Sequence, residues 1–150
     1  MSATITPLLT PEGRALLDAL PTYDQDDIFT LTSRLRGEGH TPELVSLALT
    51  QARLRQKARE KFGDFAATMF FTAAGLEQST RLSVGVHHGA RLRDAGATHV
   101  IDLGCGIGAD SLAMAGLGLR VTSIETDAET AAAAVANLAP FPEANVRTGD

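Results

Sequence analysis

One stretch constrains the fold of this chain more than any other: residues 99–110, which read HVIDLGCGIGAD. Its first half is a short apolar run, which is typical of a strand buried on both faces of a parallel sheet. Glycine then occupies alternate positions, at Gly104, Gly106 and Gly108. A turn so rich in glycine allows positive φ angles and lets the backbone approach a ligand without Cβ clashes. The residues that follow, SLAMAGLG, predict a helix that ends at a glycine.

Strand, glycine turn and helix form the first unit of a doubly wound α/β fold, in which a ligand sits at the carboxyl end of the strand. The same rhythm continues towards the C-terminus. Leu119–Ile124 predicts a second strand, Thr126-Asp127 caps an alanine-rich helix, and Asn145–Thr148 predicts a third strand. We therefore expect residues 96–150 to form the first βαβαβ part of a Rossmann-like doubly wound sheet that is incomplete at its C-terminus. On this interpretation the chain is the front part of a longer protein.

Helical signals dominate the chain before this unit. Hydroxyl caps followed by proline and glutamate mark two of the helix starts, and leucine at helical spacing supplies the buried stripes. The predicted helices begin at Thr10, Asp24, Thr41 and Leu76. The last of them runs over 76–93. We expect residues 1–95 to form a helical N-terminal module, with residues 1–9 as a loosely held leader.

The composition excludes several classes of site. Cys105 is the only cysteine, so neither an internal disulfide nor a cysteine metal cluster can form. The four histidines show no metal-ligand spacing, and we expect no metal. The net charge of −5 gives no overall attraction to nucleic acid. The sequence shows neither a membrane-length apolar run nor the pattern of a secretion signal, and we expect a cytoplasmic location.

The glycine spacing fits two classes of ligand. Gly104-x-Gly106-x-x-Ala109 satisfies the pattern for NAD or FAD, whereas Gly104-x-Gly106-x-Gly108 satisfies the looser loop of S-adenosylmethionine (SAM) enzymes. Asp102 favours SAM, because a carboxylate beside the loop would repel a pyrophosphate but attract the cationic amino and sulfonium groups of SAM. Alternatively, Asp102 caps the loop by accepting hydrogen bonds from backbone N–H groups.

Acidic residues stand at three successive strand ends: Asp102, Glu125 and Asp150. Since the carboxyl ends of parallel strands share one edge, we expect these side chains to line one crevice. A glutamate at the end of the second strand can accept two hydrogen bonds from a ribose diol. An acid at the end of the third strand can hold an adenine amino group. The alternative for each residue is a helix cap or an acid in a loop.

These residues resemble the successive cofactor motifs of class I SAM-dependent methyltransferases. More narrowly, DLGCGIGADSLAMA resembles the CGxGG(N/D) loop and helix of trimethylguanosine synthase-like enzymes, although Ala109 stands where a second glycine is frequent. The segment KFGDFAATMFFTAAGLEQST resembles the front part of bacterial methyltransferases that continue into a THUMP-like RNA-binding domain. The resemblance covers about residues 50–150.

The resemblance implies a role for each matched position. Asp102 and the loop backbone would contact the methionine part of SAM, Glu125 the ribose and Asp150 the adenine, while Thr72 and Gln78 would close over the cofactor. The implied cofactor-binding residues are Asp102, Gly104, Cys105, Gly106, Gly108, Glu125 and Asp150. These families carry a catalytic (N/D)-P-P-(F/Y/W) motif, which this sequence lacks, so the catalytic residues stay unidentified.

We therefore predict the SAM-binding half of a methyltransferase that transfers methyl to an RNA base and is inactive as this fragment. A NAD(P)-dependent oxidoreductase is one alternative, and a non-catalytic nucleotide-fold adaptor is the other. The basic residues of 53–61 are either a solvated helix end or a patch that tracks RNA phosphates. The expected partners are SAM, RNA and either the missing part of the sheet or a protein that covers its edge, and no membrane.

Overall fold

The computed structural model describes residues 4–150, which form a helical region followed by a small parallel sheet with helices. The helices are α1 (Thr6–Leu9), α2 (Pro11–Ala19), α3 (Ile28–Gly37), α4 (Pro42–Phe62), α5 (Ala73–Gln78), α6 (Leu82–Asp94), α7 (Ala109–Gly116) and α8 (Ala128–Leu138). The strands are β1 (His99–Leu103), β2 (Arg120–Glu125) and β3 (Ala144–Thr148), and a 3-10 turn covers Gly63–Ala67. None of the described helices is both long and apolar enough to cross a membrane.

The helix starts follow the local signals in the sequence. The Thr10 hydroxyl accepts a hydrogen bond from the Gly13 N–H at 3.1 Å, and the Thr41 hydroxyl accepts one from the Leu44 N–H at 3.2 Å. These caps satisfy amide donors that the first turn of a helix leaves unpaired. Proline at the first helical position follows both threonines, with its fixed φ already helical. The predicted starts of α2 and α4 are confirmed.

Three local predictions were wrong. Helix α3 begins at Ile28 and not at Asp24, whose Oδ1 instead accepts from the Asp26 N–H at 3.0 Å in the turn before the helix. The leader is not loose over its described part, because α1 is helical and Ile5 and Leu8 are 4% and 0% exposed; residues 1–3 lie outside the described residues. The predicted helix over 76–93 is interrupted between α5 and α6, where Ser79 is extended with ψ at 142°. The Ser79 hydroxyl donates to the Leu76 carbonyl at 2.8 Å, which takes an acceptor that a continuous helix would use.

The sheet is parallel throughout, in the order β1-β2-β3. Helix α7 packs on β2, and α8 packs on β2, β3 and α7, so both helices cover the same face. On the opposite face, Ile101 and Leu103 are 61% and 74% exposed. Within residues 4–150, β1 pairs only with β2, so its other edge has no strand partner. This sheet edge and this sheet face are therefore uncovered within the described residues.

Helices α6 and α7 pack closely because α6 carries glycine on the facing side. A Cβ at Gly85 would lie 3.1 Å from the Ala113 Cβ, and a Cβ at Gly89 would lie 2.9 Å from Leu117 Cδ1. Glycine in the middle of a helix costs roughly 1 kcal/mol relative to alanine. The close packing of α6 against α7 explains why glycine occupies both positions despite this cost.

A single hydrophobic cluster joins the helical region to the α/β region. It contains Phe62, Phe71 and Leu76 from the first region together with Ile107 and Ala133 from the second. The division of the chain at residues 95–96 remains a prediction. Because this cluster contains Ile107 of the glycine loop and Ala133 of α8, the helical region packs directly on the loop and on α8, whereas Val121 of β2 belongs to a second, smaller cluster.

Two buried amide side chains hold the extended residues between the 3-10 turn and α5. Gln51 on α4 donates to the Phe71 carbonyl at 2.9 Å and accepts from the Phe71 N–H at 2.7 Å. Asn137 on α8 donates to the Phe70 carbonyl at 2.9 Å and accepts from the Phe70 N–H at 2.7 Å. Asn137 also donates to the Ile107 carbonyl at 2.9 Å. These amides replace the backbone partners that a neighbouring strand would supply.

We predict that Asn137→Ala lowers the free energy of unfolding by about 2–4 kcal/mol, because buried polar groups of Phe70 and Ile107 lose their partners. Chemical denaturation measures the change. Asn145→Ala is the control, since Asn145 is exposed and its contact to the Thr122 hydroxyl is 3.5 Å long. Equal destabilisation by the two substitutions would contradict the structural role given to Asn137.

Candidate functional site at the glycine loop

The loop after β1 is built on glycine at each position that needs a left-handed backbone. Gly104, Gly106 and Gly108 have φ of 71°, 58° and 82°. A Cβ at Gly104 or Gly106 would meet nothing within 4 Å, so the backbone conformation, not crowding by neighbours, calls for glycine there. The N–H groups of Gly104 and Cys105 both donate to the Ile124 carbonyl, at 2.9 and 3.0 Å. The end of β2 therefore fixes the start of the loop.

A cavity of about 330 Å³ opens beside this loop. Three segments enclose it: the end of α5 with the turn into α6, the glycine loop with the start of α7, and the end of β2 with the start of α8. The lining residues are Ala74, Gly75, Gln78, Ser79, Thr80, Gly104, Cys105, Gly106, Ile107, Ala109, Asp110, Glu125, Asp127 and Thr130. Among the described residues that line the cavity, the ionisable carboxyl groups are Asp110, Glu125 and Asp127, and none is Lys or Arg.

Glu125 connects the glycine loop to the start of α8. Its Oε2 accepts from the Gly106 N–H at 2.9 Å, and its Oε1 accepts from the Asp127 N–H at 3.0 Å. The carboxylate thus holds the glycine loop and the start of α8 in register while it lines the cavity. A carboxylate has about four lone-pair sites, so these bonds leave acceptor capacity for a ligand. Asp127 separately caps α8 through the Thr130 N–H at 2.9 Å.

Asp102 lies under the loop and is not among the residues that line the cavity. Its Oδ2 accepts from the Ser111 hydroxyl at 2.6 Å, and Ser111 is also within 2.8 Å of the Ser123 hydroxyl. Burial raises the pKa of Asp102 and the nearby Asp110 acts in the same direction, while the Ser111 hydrogen bond opposes them. Asp102 therefore ties β1 to α7 through a hydroxyl, which neither sequence interpretation anticipated.

The Cys105 thiol is not set up as a nucleophile. Burial, Asp102 and Glu125 raise its pKa to about 12, so the thiol stays protonated at neutral pH. Its Sγ lies 3.5 Å from the Gly106 carbonyl, within the turn itself. This geometry agrees with the interpretation of Cys105 as a small residue in a tight turn.

Asp110 is a site residue that the sequence analysis did not assign. It lines the cavity from the first turn of α7, and its Oδ2 accepts from the Thr80 hydroxyl at 2.9 Å. Its Oδ1 is buried and accepts no hydrogen bond from any described residue. The Nδ1 of the His88 ring lies 3.8 Å from this oxygen. The acidic last position of the CGxGG(N/D) pattern was the available signal for this residue.

The other predicted site residues divide into two groups. Gly104, Cys105, Gly106, Glu125 and Gln78 line one cavity, whereas Gly108, Asp150 and Thr72 are not among its lining residues. Gly108 begins α7 and approaches Leu138 of α8. Thr72 caps α5 through the Gly75 N–H at 3.0 Å. The cofactor-binding roles remain predictions for all seven positions: Asp102, Gly104, Cys105, Gly106, Gly108, Glu125 and Asp150.

The basic end of α4 is largely occupied by contacts within the chain. The Arg55 Nε donates to the Met69 carbonyl at 2.9 Å, and its guanidinium lies 5.1 Å from the centre of the Phe70 ring. Lys57 pairs with Glu77, and Lys61 donates to three carbonyls around the end of α5. Arg55 and Lys61 therefore belong neither to a solvated helix end nor to a patch that tracks RNA phosphates. Their hydrogen bonds stabilise the segment around Met69 and the end of α5.

Comparisons with known proteins add family and fold information. Residues 2–58 match the family model of a domain of unknown function, DUF8688, which covers less than half of the chain. No curated protein matches the chain. A solved structure from Porphyromonas gingivalis W83, described as a "putative methyltransferase", aligns with 24% identity and a TM-score of 0.63, over 87% of this chain and 37% of that one.

A second solved structure is less similar. It is coclaurine N-methyltransferase bound to N-methylheliamine and S-adenosylhomocysteine (SAH), with 17% identity and a TM-score of 0.40, over 97% of this chain and 48% of that one. The chain thus spans less than half the length of either protein. The Porphyromonas structure shows the fold, a helical region followed by part of a Rossmann-like α/β sheet, and the predicted fold class is confirmed.

We predict that Ser111→Ala raises the pKa of Asp102 further, because the substitution removes the hydrogen bond that stabilises the ionised carboxylate. Carboxyl carbon NMR measured across a pH titration reports the change. Ser123→Ala is the matched control, since it leaves the Ser111–Asp102 bond in place. A pKa of Asp102 that is unchanged in Ser111→Ala would show that this bond does not stabilise the ionised form.

Proposed function

We propose that this chain carries the cofactor-binding half of a SAM-dependent methyltransferase. The observation that carries the proposal is a cavity bordered by left-handed glycines, with acidic groups as its only charged lining within the described residues. A volume of about 330 Å³ falls in the range of small-molecule sites. SAM suits this charge, because it has a sulfonium and an amino group and lacks phosphate.

The same lining disfavours the oxidoreductase alternative. A dinucleotide would bring a pyrophosphate to the glycine loop at the start of α7, and the carboxylate of Asp110 would oppose that charge. Phosphates usually bind where cationic side chains or helix N-termini neutralise them. Helix α7 offers an N-terminus, but its first turn carries the carboxylate of Asp110.

Within this proposal, Glu125 holds the ribose hydroxyls and the backbone of Gly104–Gly106 borders the rest of the cofactor. SAM supplies an electrophilic methyl group when it is bound. Residues of this chain bind and orient the cofactor, and catalysis in such sites depends largely on alignment of the acceptor with the methyl group. Asp102 acts from below the loop, where its bond to Ser111 keeps β1 and α7 in position.

The acceptor that we propose is an RNA base. This part rests on the family resemblance of residues 50–150 alone, because Arg55 and Lys61 are engaged within the chain. The adaptor alternative draws its support from the exposed Ile101 and Leu103 on β1, whose other edge has no strand partner within the described residues. An exposed strand edge favours association with a further strand. That strand would come from the rest of the sheet or from a partner protein.

SAM that carries a radiolabelled methyl group, used with the full-length protein, distinguishes an RNA methyltransferase from a non-catalytic adaptor. We expect label to appear in cellular RNA and to be absent when the RNA is treated with nuclease before the reaction. Labelled protein or small molecules with unlabelled RNA would overturn the RNA acceptor and keep the methyltransferase. Cofactor binding with no labelled product from any extract fraction would favour the adaptor.

We predict that the protein binds SAH in calorimetry and that Glu125→Ala weakens this binding roughly 10- to 100-fold, because a ribose diol loses a charged acceptor. Glu125→Gln keeps one oxygen and should lie between the two. Glu143→Ala is the control, since Glu143 is exposed and outside the cavity. Binding of NADH in place of SAH by the wild-type protein would overturn the proposed function.

A further inference from the structure

A second cavity, of about 320 Å³, lies in the helical region. Three segments enclose it: the end of α2 with the residues that follow it, one side of α4, and the 3-10 turn after α4. No residue that lines it also lines the cavity at the glycine loop. Its volume falls at the lower end of the range of small-molecule sites. Nothing in the methyltransferase proposal accounts for this cavity.

The lining of this second cavity is apolar on the side of α2 and polar on the side of α4. Leu17, Leu20 and Pro21 form the apolar side. The polar side carries Arg55 and Gln56. A ligand with an apolar body and one polar end would match both sides, because small-molecule sites combine apolar walls with a few polar groups that fix the orientation of the ligand.

Arg55 is held in one orientation at the edge of this cavity. It is half-buried, its Nε donates to the Met69 carbonyl at 2.9 Å, and its guanidinium carbon lies 5.1 Å from the centre of the Phe70 ring. The bond to Met69 uses one of the five N–H donors of a guanidinium. The other four, on the two terminal nitrogens, bond to no described residue. Arg55 therefore presents a fixed cation with free donors.

The charges around Arg55 leave room for one negative charge. Within residues 4–150, no carboxylate forms an ion pair with it. Burial lowers the pKa of Arg55, Asp18 raises it and Arg14 lowers it, so the guanidinium is partly desolvated without a bonded counter-ion. The other charged lining residues, Arg59 and Asp64, lie 3.6 Å apart and offset each other. A singly charged anion balances this lining, whereas a doubly charged phosphate exceeds it.

We propose that this cavity binds a small organic carboxylate with an apolar or aromatic body, and that the terminal nitrogens of Arg55 donate to its carboxylate. Pairs of guanidinium and carboxylate are frequently bidentate, because two parallel N–H groups match two oxygens. The Gln56 amide offers a further donor. The inference goes beyond the proposed function and does not depend on it, because the two cavities share no lining residue.

Calorimetry on the full-length protein tests the charge of the ligand separately from its body. The probes are 2-naphthylacetate and octanoate, each compared with its own primary amide, which keeps the body and removes the charge. We expect one or both carboxylates to bind, and the matching amide to bind at least about tenfold more weakly, because the charge-assisted hydrogen bonds are lost. Failure of both carboxylates to bind, or equal binding of acid and amide, would overturn the inference. Tighter binding of 2-naphthyl phosphate would overturn the choice of a carboxylate.

Two variants assign the binding to this cavity. Arg55→Lys keeps the positive charge but loses the two-pronged donor, and it should weaken carboxylate binding about tenfold. Ala67→Phe fills the space from an exposed lining position without removing a hydrogen bond, and it should abolish binding even if Arg55→Lys does not fold. Arg53→Met is the matched control, since Arg53 lies on the same helix outside this cavity.

Thermal unfolding identifies the variants that are folded. Carboxylate binding that is unchanged in a folded Arg55→Lys or Ala67→Phe variant would overturn the inference. An equal loss of binding in Arg53→Met would also overturn it, because binding would then follow the overall charge of α4 and not this cavity.

Discussion

The amide of Asn137 is the interaction on which the rest of the structure depends. It bonds both backbone groups of Phe70 and the carbonyl of Ile107, and so it joins α8 to the segment before α5 and to the glycine loop. Gln51 gives Phe71 the same support from α4. A buried polar group costs little when fully bonded and several times more when one partner is missing. Asn137 and Gln51 therefore help to position the helical region against α8 and the glycine loop.

This arrangement explains why helices precede the sheet. Helix α5 lies on the glycine loop, and the turn after it closes a cavity that the sheet edge alone would leave open. The long helix α4 supports both neighbours, with Gln51 bonded to Phe71 and Lys61 bonded around the end of α5. Because residues 57 and 61 are one turn apart and residues 55 and 59 lie on another side, the basic stretch serves two sides of α4.

The acidic residues around the glycine loop lie at two levels, one below the loop and one in the cavity lining. Asp102 is half-buried below the loop, where partial burial raises its pKa and the hydroxyl of Ser111 acts in the opposite direction. Asp110 and Glu125 line the cavity. A cavity with this lining attracts cations and opposes phosphates, which is the physical basis for the proposed cofactor. The carboxylates of Asp110 and Glu125 therefore favour a cationic ligand. The Asp102–Ser111 hydrogen bond holds β1 and α7, which lie on either side of the loop.

The sequence by itself determined the features that depend on neighbouring residues. Hydroxyl caps with proline set the starts of α2 and α4, alternating glycines set the left-handed loop, and β-branched runs set the parallel strands. Only the tertiary structure decided the break after Gln78, the burial of Leu8 and the direction of the Asp102 side chain. At the break a local bond from the Ser79 hydroxyl to the Leu76 carbonyl acts together with a distant one from Lys61 to Ser79. Contacts with residues distant in the chain are what local sequence patterns cannot show.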